Sequence, residues 1–207
     1  MTLEVRPLHA SDLRAVATLH DAAFPSSALS RLGTEAVRRY YLWLFEGPHQ
    51  ATNLGAFEDG SLVGFVFGGL FNGAMTGFLQ QNRGYLARRV VTHPWLISTP
   101  LFRDRIALAL RLLVARRTGA PAAVPAPRRG FGILAIAVRP EAQGTGVGKA
   151  LMLRAEQVAR TTGFDRMQLT VAKTNEQAIR FYEARGWTKV RDPAGAWTGA
   201  MTRELSA

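Results

Sequence analysis

The stretch that decides the fold is Gly132-Ile-Leu-Ala-Ile-Ala-Val-Arg-Pro-Glu-Ala-Gln-Gly-Thr-Gly-Val-Gly-Lys149. Its first seven residues predict a buried β-strand over 132–138, and residues 143–149 form a glycine-rich turn that opens a helix. Such a turn offers free backbone N–H groups and the positive end of a helix to an anion, and its glycines let a phosphate approach the backbone closely. Lys149 lies in the first helical turn, where the helix dipole disfavours a cation, so we expect an anion beside it.

The spacing of the glycines selects among phosphate-binding turns. A nucleoside-triphosphatase loop requires glycine at position 143 and serine or threonine at position 150, but the chain has Gln143 and Ala150. The dinucleotide pattern G-x-G-x-x-G also fails, because neither glycine that could begin it is followed by a glycine five residues later. The pattern that fits is Q-x-x-G-x-G, formed by Gln143, Gly146 and Gly148.

A second motif follows the strand predicted over 167–171. It has the form N-x-x-A-x-x-F-Y-x-x-x-G-[aromatic] and runs from Asn175 to Trp187. Thr174 and Gln177 are spaced as a capping box that would begin a helix, and Gly186 is placed to end it. The motif therefore predicts a short helix that carries a tyrosine, Tyr182, on its apolar face.

Together the two motifs resemble the signatures of the GNAT superfamily of N-acetyltransferases, over about residues 131–190. An arginine- and leucine-rich insert before the cofactor strand is similar to that of a bacterial subgroup. The resemblance implies an acyl-CoA N-acyltransferase fold, acetyl-coenzyme A as co-substrate, no metal, and transfer of the acetyl group to a primary amine.

The resemblance also implies roles for particular residues. The backbone of Ile136, Ala137 and Val138 would pair with the pantetheine arm, and an N–H there would stabilise the oxyanion. The pyrophosphate would be bound by Gln143, Gly144, Thr145, Gly146, Val147, Gly148 and Lys149. Asn175 would contact the cofactor arm, and Tyr182 would donate a proton to the departing thiolate, because a phenol is still protonated at neutral pH. The alternative for Tyr182 is a core aromatic.

The sequence assigns no catalytic base. Many members of the superfamily carry a glutamate on the cofactor strand or its neighbour, but strand 132–138 has no acid and strand 167–171 has Gln168 and Thr170. Glu58, His93 and Asp104 remain open as bases. A water chain, or an amine that enters neutral, would also serve.

The other segments predict the remaining architecture. We expect strands over 2–8, 53–58, 61–71 and 197–205, helices over 12–23 and 34–46, the second with Thr34 as its N-cap, and a hairpin at Asp59-Gly60. The run Leu62–Phe71 is apolar throughout and is predicted to lie centrally in the sheet. This order gives an α/β fold with a mixed, largely antiparallel central sheet flanked by helices. Residues 1–207 would form a single domain with a basic helical insert at about 72–130.

Composition excludes several classes of site. The chain of 207 residues has no cysteine, which excludes disulfides, thiolate nucleophiles and cysteine-based zinc sites. Its four histidines are far apart in sequence, so we expect no metal site. We find no apolar stretch of ~20 residues and no signal-peptide pattern at the start, and we expect a soluble, cytoplasmic protein.

The charge of the chain favours anionic partners. The formal net charge is +11, and residues 82–118 contain eight arginines against one acid, Asp104. This segment interleaves its arginines with Leu, Ile and Val more than with exposed aromatics for base stacking, so we expect no nucleic-acid partner. We expect a small-molecule amine on an anionic carrier, such as an amino sugar nucleotide. Contact with a membrane surface and a homodimer stay open.

Two other functions fit the same sequence. One is a non-catalytic module that holds an acyl-CoA without turnover, which the missing base favours and Tyr182 opposes. The other is acetylation of protein N-termini or lysines. Release of free coenzyme A with candidate amines would separate turnover from binding.

The insert generates the first testable prediction. Residues 101–115 place an apolar stripe on one helical face and leave Arg103 and Arg111 off it. Replacing Arg103, Arg111, Arg116 and Arg117 with glutamine should raise the KM for the acceptor and flatten its salt dependence, because exposed charges act over about 8 Å at physiological salt. Steady-state kinetics at several ionic strengths would measure this. A preference for spermidine or a cationic peptide as acceptor would contradict it.

Overall fold

A computed structural model describes residues 2–93 and 130–205. Seven strands form one sheet: β1 (Leu3–Pro7), β2 (Gln50–Glu58), β3 (Ser61–Leu70), β4 (Phe131–Val138), β5 (Arg166–Thr170), β6 (Thr188–Arg191) and β7 (Trp197–Glu204). The helices are α1 (Leu13–Ala23), α2 (Ala28–Arg31), α3 (Thr34–Glu46), α4 (Ala74–Gln81), α5 (Arg83–Thr92), α6 (Val147–Thr161) and α7 (Glu176–Glu183). No helix within these two ranges is both long and apolar enough to cross a membrane.

The strands lie in the order β1-β2-β3-β4-β5-β7-β6. All neighbours are antiparallel except β4 and β5, which run parallel and are joined by α6. The predicted mixed, largely antiparallel sheet is therefore confirmed. The predicted hairpin turn is also present, with positive φ at Asp59 (47°) and Gly60 (77°), and β3 is buried along nearly its whole length, as expected for a central strand.

Two layers of helices cover the sheet on opposite faces. Helices α1 and α3 pack on one face in a cluster that includes Tyr41, Phe65 and Phe67. Helix α6 packs on the other face in a cluster that includes Leu151, Tyr182 and Met201. Strand β3 supplies side chains to both clusters, so its continuous apolar run follows from burial on two sides.

A β-bulge in β4 changes which side chains face each layer. The register pairs Phe67 with Ala135 and Gly68 with Ile133, so Leu134 is the extra residue on β4. Before the bulge, Ile133 belongs to the α6 cluster. After it, Ala135 and Ala137 face the α1–α3 layer, whereas Ile136 and Val138 face the α6 layer. The bulge thus reverses the alternation of β4, so that residues 135–138 face the two helical layers in the opposite order from residues 131–133.

The beginning of the basic insert is packed against the first helical layer. The Trp43 indole Nε1 donates to the carbonyl of Ala74 at 2.9 Å, which ties α4 to α3. The Arg89 Nε donates to the carbonyl of Leu32 at 2.9 Å, which ties α5 to the end of α2. The predicted helix over 101–115, with Asp104, lies outside the described residues, and the single-domain organisation stays a prediction.

Some local expectations were wrong. Asn175, not Thr174, caps α7: its side chain accepts a hydrogen bond from the Ala178 N–H at 3.1 Å, because the helix begins one residue later than the capping-box spacing implied. Gly33, at φ +93°, precedes α3, and the Thr34 hydroxyl instead donates to Asp21 at 2.6 Å. Helix α1 starts at Leu13 after a 3₁₀ turn.

The α1–α3 layer contains a buried histidine network. His20 is 8% exposed, and its Nδ1 lies 2.9 Å from the Tyr41 hydroxyl and its Nε2 lies 3.3 Å from the Ser27 hydroxyl. Burial lowers the pKa of His20 to about 4, from an ordinary value of 6.5, because the desolvated ring is costly to charge. A neutral ring satisfies both hydroxyl partners within the core.

This network makes stability depend on pH. Between about pH 6.5 and 4 the unfolded chain binds the His20 proton and the folded chain does not, so stability falls as pH falls through that window. We expect His20→Gln, which keeps a hydrogen-bonding side chain, to reduce this slope. Denaturant midpoints at pH 7, 6 and 5 would measure it, and equal slopes in the two proteins would contradict the assignment.

Candidate active site

The parallel strands β4 and β5 separate and open a cleft in the sheet. They pair only where residues 131–133 lie beside residues 167–169. Beyond Ile133, β4 pairs with β3 alone, and β5 follows β7, with the Val171 N–H donating to the carbonyl of Gly199 at 2.9 Å. Within the described part of the chain, the segment 134–138 therefore has no strand on its β5 side.

The cleft edge of β4 carries unpaired backbone groups. The Arg139 N–H donates to the carbonyl of Val63 on β3 at 2.8 Å. Because alternate residues of a strand direct their N–H and C=O to opposite sides, Ala137 faces β3, whereas Ile136 and Val138 face the cleft. The Val138 carbonyl accepts from the Gln143 side chain at 3.3 Å. Of the three strand residues predicted to pair with a ligand, Ile136 and Val138 thus direct their N–H groups into the cleft, and Ala137 does not.

The glycine-rich turn lies at the mouth of the cleft. Gly144 and Gly146 have φ of +82° and +99°, a backbone conformation that side chains other than glycine rarely adopt. A Cβ at either position would meet nothing within 4 Å, so the surface of the turn is open. The Thr145 hydroxyl donates to the carbonyl of Ala142 at 2.8 Å and closes the turn.

Helix α6 begins without a side-chain cap. Its first backbone bond runs from the Ala150 N–H to the carbonyl of Gly146 at 3.0 Å. The N–H groups of Val147, Gly148 and Lys149 therefore have no acceptor inside the helix. By contrast, α2 and α7 are capped by Ser27 and Asn175. The uncapped start, the open turn and the Lys149 side chain suit a phosphate ligand.

Helix α7 brings Tyr182 to the α6 face of the sheet. The side chain is 7% exposed and shares a cluster with Ile136 and Val138, the two residues that face the cleft. Its ring centroid lies 5.3 Å from that of Phe181 and 5.7 Å from that of Trp187. Burial raises the pKa of the phenol to about 12, so the hydroxyl keeps its proton at neutral pH.

Asn175 has a structural role that its sequence position did not reveal. Its side-chain oxygen caps α7 by accepting from the Ala178 N–H. The residue is exposed, which leaves its amide nitrogen on the surface at the start of the helix. Contact between Asn175 and a ligand stays a prediction.

A groove of about 520 Å³ lies on the other face of the sheet from the one that α7 covers. Its polar lining comes from alternate residues of β5 and from β7: Arg166, Gln168, Thr170 and Thr202. Leu134, the bulge residue, also lines it, so the groove reaches the point where β4 and β5 separate. The sequence had marked Gln168 and Thr170 only as positions without an acid. The two-residue period from Arg166 to Thr170 is the signal that these side chains share a face of the sheet.

Of the three side chains left open as catalytic bases, neither Glu58 nor His93 lines the groove. Glu58 ends β2, from which β4 is separated by β3, and His93 follows the end of α5. The described residues that line the groove include no carboxylate. Asp104 lies outside the described part of the chain.

Comparison with known proteins agrees with this arrangement. Residues 103–187 match the sequence model of the Acetyltransferase (GNAT) family. This part of the chain is thus similar to the GNAT acetyltransferase family, which confirms the resemblance inferred from the two motifs.

Solved structures share the fold at low sequence identity. The PaiA N-acetyltransferase from Thermoplasma acidophilum, in complex with coenzyme A, is 15% identical with a TM-score of 0.59, covering 99% of this chain and 100% of that one. The ribosomal-protein-S18-alanine N-acetyltransferase from Escherichia coli is also 15% identical, with a TM-score of 0.58, covering 100% of this chain and 96% of that one. The predicted acyl-CoA N-acyltransferase fold is confirmed.

Two curated relatives match a short part of the chain. A mycothiol acetyltransferase from Thermobispora bispora is 39% identical over 57 residues, which is 28% of this chain and 19% of the relative. A mycothiol acetyltransferase from Beutenbergia cavernae is 45% identical over 58 residues, 28% of this chain and 20% of the relative. The chain therefore matches about a fifth of the length of these relatives.

The open turn leads to a prediction with a matched control. We expect Gly146→Glu to weaken binding of coenzyme A by about tenfold or more, because a carboxylate would block the turn and oppose the phosphates. Gly163, just after α6, has a similar φ of +81° and equal space around it. Gly163→Glu should therefore carry the same backbone strain and bind coenzyme A like the parent. Calorimetric titration of both variants would measure this, and equal affinities would contradict the placement of the ligand at the turn.

Proposed function

We propose that this protein transfers the acetyl group of acetyl-coenzyme A to a primary amine. The observation that carries the proposal is the cleft between β4 and β5, with the uncapped start of α6 at its mouth and Tyr182 on its α6 side. The family match supports acetyl transfer, and two structural neighbours are described as complexes with coenzyme A or acetyl-coenzyme A.

The chain's own groups fit acetyl-coenzyme A as a co-substrate. The N–H groups of the turn and of the first residues of α6, with Lys149, would bind the pyrophosphate. The cleft-facing N–H and C=O of Ile136 and the N–H of Val138 would pair with the amides of the pantetheine arm, as a neighbouring strand would. Bound there, acetyl-coenzyme A supplies an acyl group activated as a thioester.

A backbone N–H at the cleft edge would stabilise the transition state. Negative charge develops on the thioester oxygen when an amine attacks the carbonyl carbon, and a fixed donor aimed at that oxygen needs no reorganisation. Ile136 faces the cleft and is held by its pairing with Val66 on β3. The rigid central strand thus orients this donor before a substrate arrives.

Tyr182 would supply the proton for the leaving sulfur. Its phenol is protonated at neutral pH, and a free thiol with a pKa near ~8.5 is protonated there too, so the leaving sulfur ends as the thiol and the phenolate left behind regains its proton from solvent. The packed rings of Phe181 and Trp187 restrict the orientation of Tyr182. Burial that raises the pKa of a general acid also keeps it in its active protonation state.

We assign the acceptor to the groove on the opposite face of the sheet. That face carries Arg166 and neutral amide and hydroxyl groups, and the described lining has no acid to attract a polyamine. This supports an amine on a carrier that bears phosphate or carboxylate, such as an amino sugar nucleotide. The amine would lose its proton to water or enter neutral, since the described residues of the groove include no carboxylate base.

A second candidate is a module that binds acyl-CoA without turnover. The lack of an acid among the described residues of the groove is the observation that favours it. Release of free coenzyme A on addition of amines, followed with a thiol reagent, separates the two. The panel should contain amino sugar nucleotides, spermidine and peptides with free N-termini, because acetylation of peptides would instead indicate a protein acetyltransferase.

Tyr182 gives the decisive kinetic prediction. Tyr182→Phe should lower kcat by about 10²–10⁴-fold, the usual contribution of general acid catalysis, with little change in the KM for acetyl-coenzyme A. Tyr40→Phe is the matched control, because Tyr40 is also buried, with a pKa raised to about 12, but lies in the α1–α3 layer. Equal kcat values for the two variants, with chemistry rate-limiting, would reduce Tyr182 to a core aromatic.

A further inference from the structure

A second cavity, of about 220 Å³, lies between α6, the end of α7 and β7. Four of its lining residues follow one stripe of α6, and the rest come from the end of α7 and from β7: Lys149, Met152, Leu153, Glu156, Ala184, Arg185 and Arg203. The cavity therefore begins at the first turn of α6 and runs along the side of that helix that faces the end of α7 and β7. Three of its seven lining residues are cationic.

The single acid of the cavity is already neutralised. Glu156 is 8% exposed, and its two carboxylate oxygens lie 2.9 Å from the Arg160 and the Arg203 guanidinium groups. The charges of Lys149 and Arg185 are thus left without a carboxylate partner in the cavity. Their positive potential is not cancelled by the lining itself.

Arg185 is held in place by contacts that leave a donor unused. Its Nη1 donates to the carbonyl of Phe181 at 2.7 Å, and its guanidinium carbon lies 3.7 Å from the centroid of the Phe181 ring. The buried Nε–H has no hydrogen-bond partner among the described residues. Desolvation and the neighbouring Arg203 charge lower the pKa of Arg185, which shows that its cation lacks compensation. An anion in the cavity would relieve both deficits.

The position of the cavity relative to the glycine turn restricts the anion. Lys149 is the third residue of α6, so its backbone belongs to the proposed pyrophosphate site while its side chain lines the cavity. An anion here would lie beside the pyrophosphate, between α6 and the end of α7 rather than in the cleft between β4 and β5. In coenzyme A, the 3′-phosphate is separated from the pyrophosphate by one ribose.

We propose that this cavity is a phosphomonoester site that binds the 3′-phosphate of coenzyme A through Lys149 and Arg185. The inference rests on the proposed function, since it takes coenzyme A as the ligand of the turn. It also explains the lysine at the start of α6: the unfavourable interaction of its charge with the helix dipole is offset by a phosphate on each side. The site would make the protein distinguish coenzyme A from 3′-dephospho-coenzyme A.

The test compares these two ligands by calorimetric titration at fixed ionic strength. The parent protein should bind coenzyme A about tenfold more tightly than 3′-dephospho-coenzyme A, as expected for a phosphate that gains charge-assisted hydrogen bonds. Lys149→Gln and Arg185→Gln should each reduce that ratio, mainly through weaker binding of coenzyme A. The ratio isolates the 3′-phosphate from any effect on the pyrophosphate.

Arg154→Gln is the matched control, because Arg154 is exposed on the same helix, bonds to Gln157, and does not line the cavity. It removes the same charge and should keep the parental ratio of the affinities for coenzyme A and 3′-dephospho-coenzyme A. If Arg154→Gln lowered that ratio as much as the cavity variants do, the effect would be one of nonspecific charge, and the site would be overturned. Equal binding of the two ligands by the parent would also overturn it, with the proposed function intact. Failure of both ligands to bind would overturn the proposed function itself. Inorganic phosphate that binds the coenzyme A complex as well as the free protein would assign the cavity to a free anion and overturn the proposal.

Discussion

The structure depends on how few residues pair β4 with β5. Three residues on each strand hold the two halves of the sheet together before the strands diverge. Divergence leaves the backbone groups of Ile136 and Val138 without a strand partner, which a sheet normally avoids because unpaired N–H and C=O groups are costly to bury. The same groups become useful when an extended, amide-containing ligand can take the place of the absent strand. With such a ligand bound, the cleft would serve as a binding edge of the sheet.

The bulge at Leu134 makes this divergence compatible with a packed core. It changes the alternation of β4, so that small residues, Ala135 and Ala137, face α1 while Ile136 and Val138 face α6. Without the extra residue, the side chains on one side of the bulge would face the opposite layers. Packing on both faces therefore continues past the point where the strands separate, and the cleft edge remains rigid.

The first turn of α6 likewise lacks the stabilising hydrogen bond that a side-chain cap would provide. A capping side chain usually contributes about 0.5–2 kcal/mol to a helix. Helices α2 and α7 each have one, whereas the N-cap of α6 is a glycine, Gly146, which has no side chain to supply it. Its free N–H groups are available to a ligand instead. Lys149 adds a charge that the helix dipole disfavours, and Arg185 adds a second on the same side, whereas Arg203 is paired with Glu156. A bound anion at this end of the protein would therefore improve its local electrostatics.

The sequence alone determined the two motifs, the strand order along the chain and the helices that follow each motif, because glycine spacing, apolar periodicity and helix-ending residues are local properties. It also identified Tyr182, since the second motif places that residue on an apolar helix face. It could not determine the cap of α7, where Asn175 and Thr174 are both competent and only the path of the chain selects one. It could not find the bulge at Leu134, which depends on pairing with a distant strand. Only the tertiary structure decided which of these side chains lie together: Lys149 with Arg185 and Arg203, and Arg166 with Thr202. The reason is that long-range strand order brings together side chains that no local pattern connects.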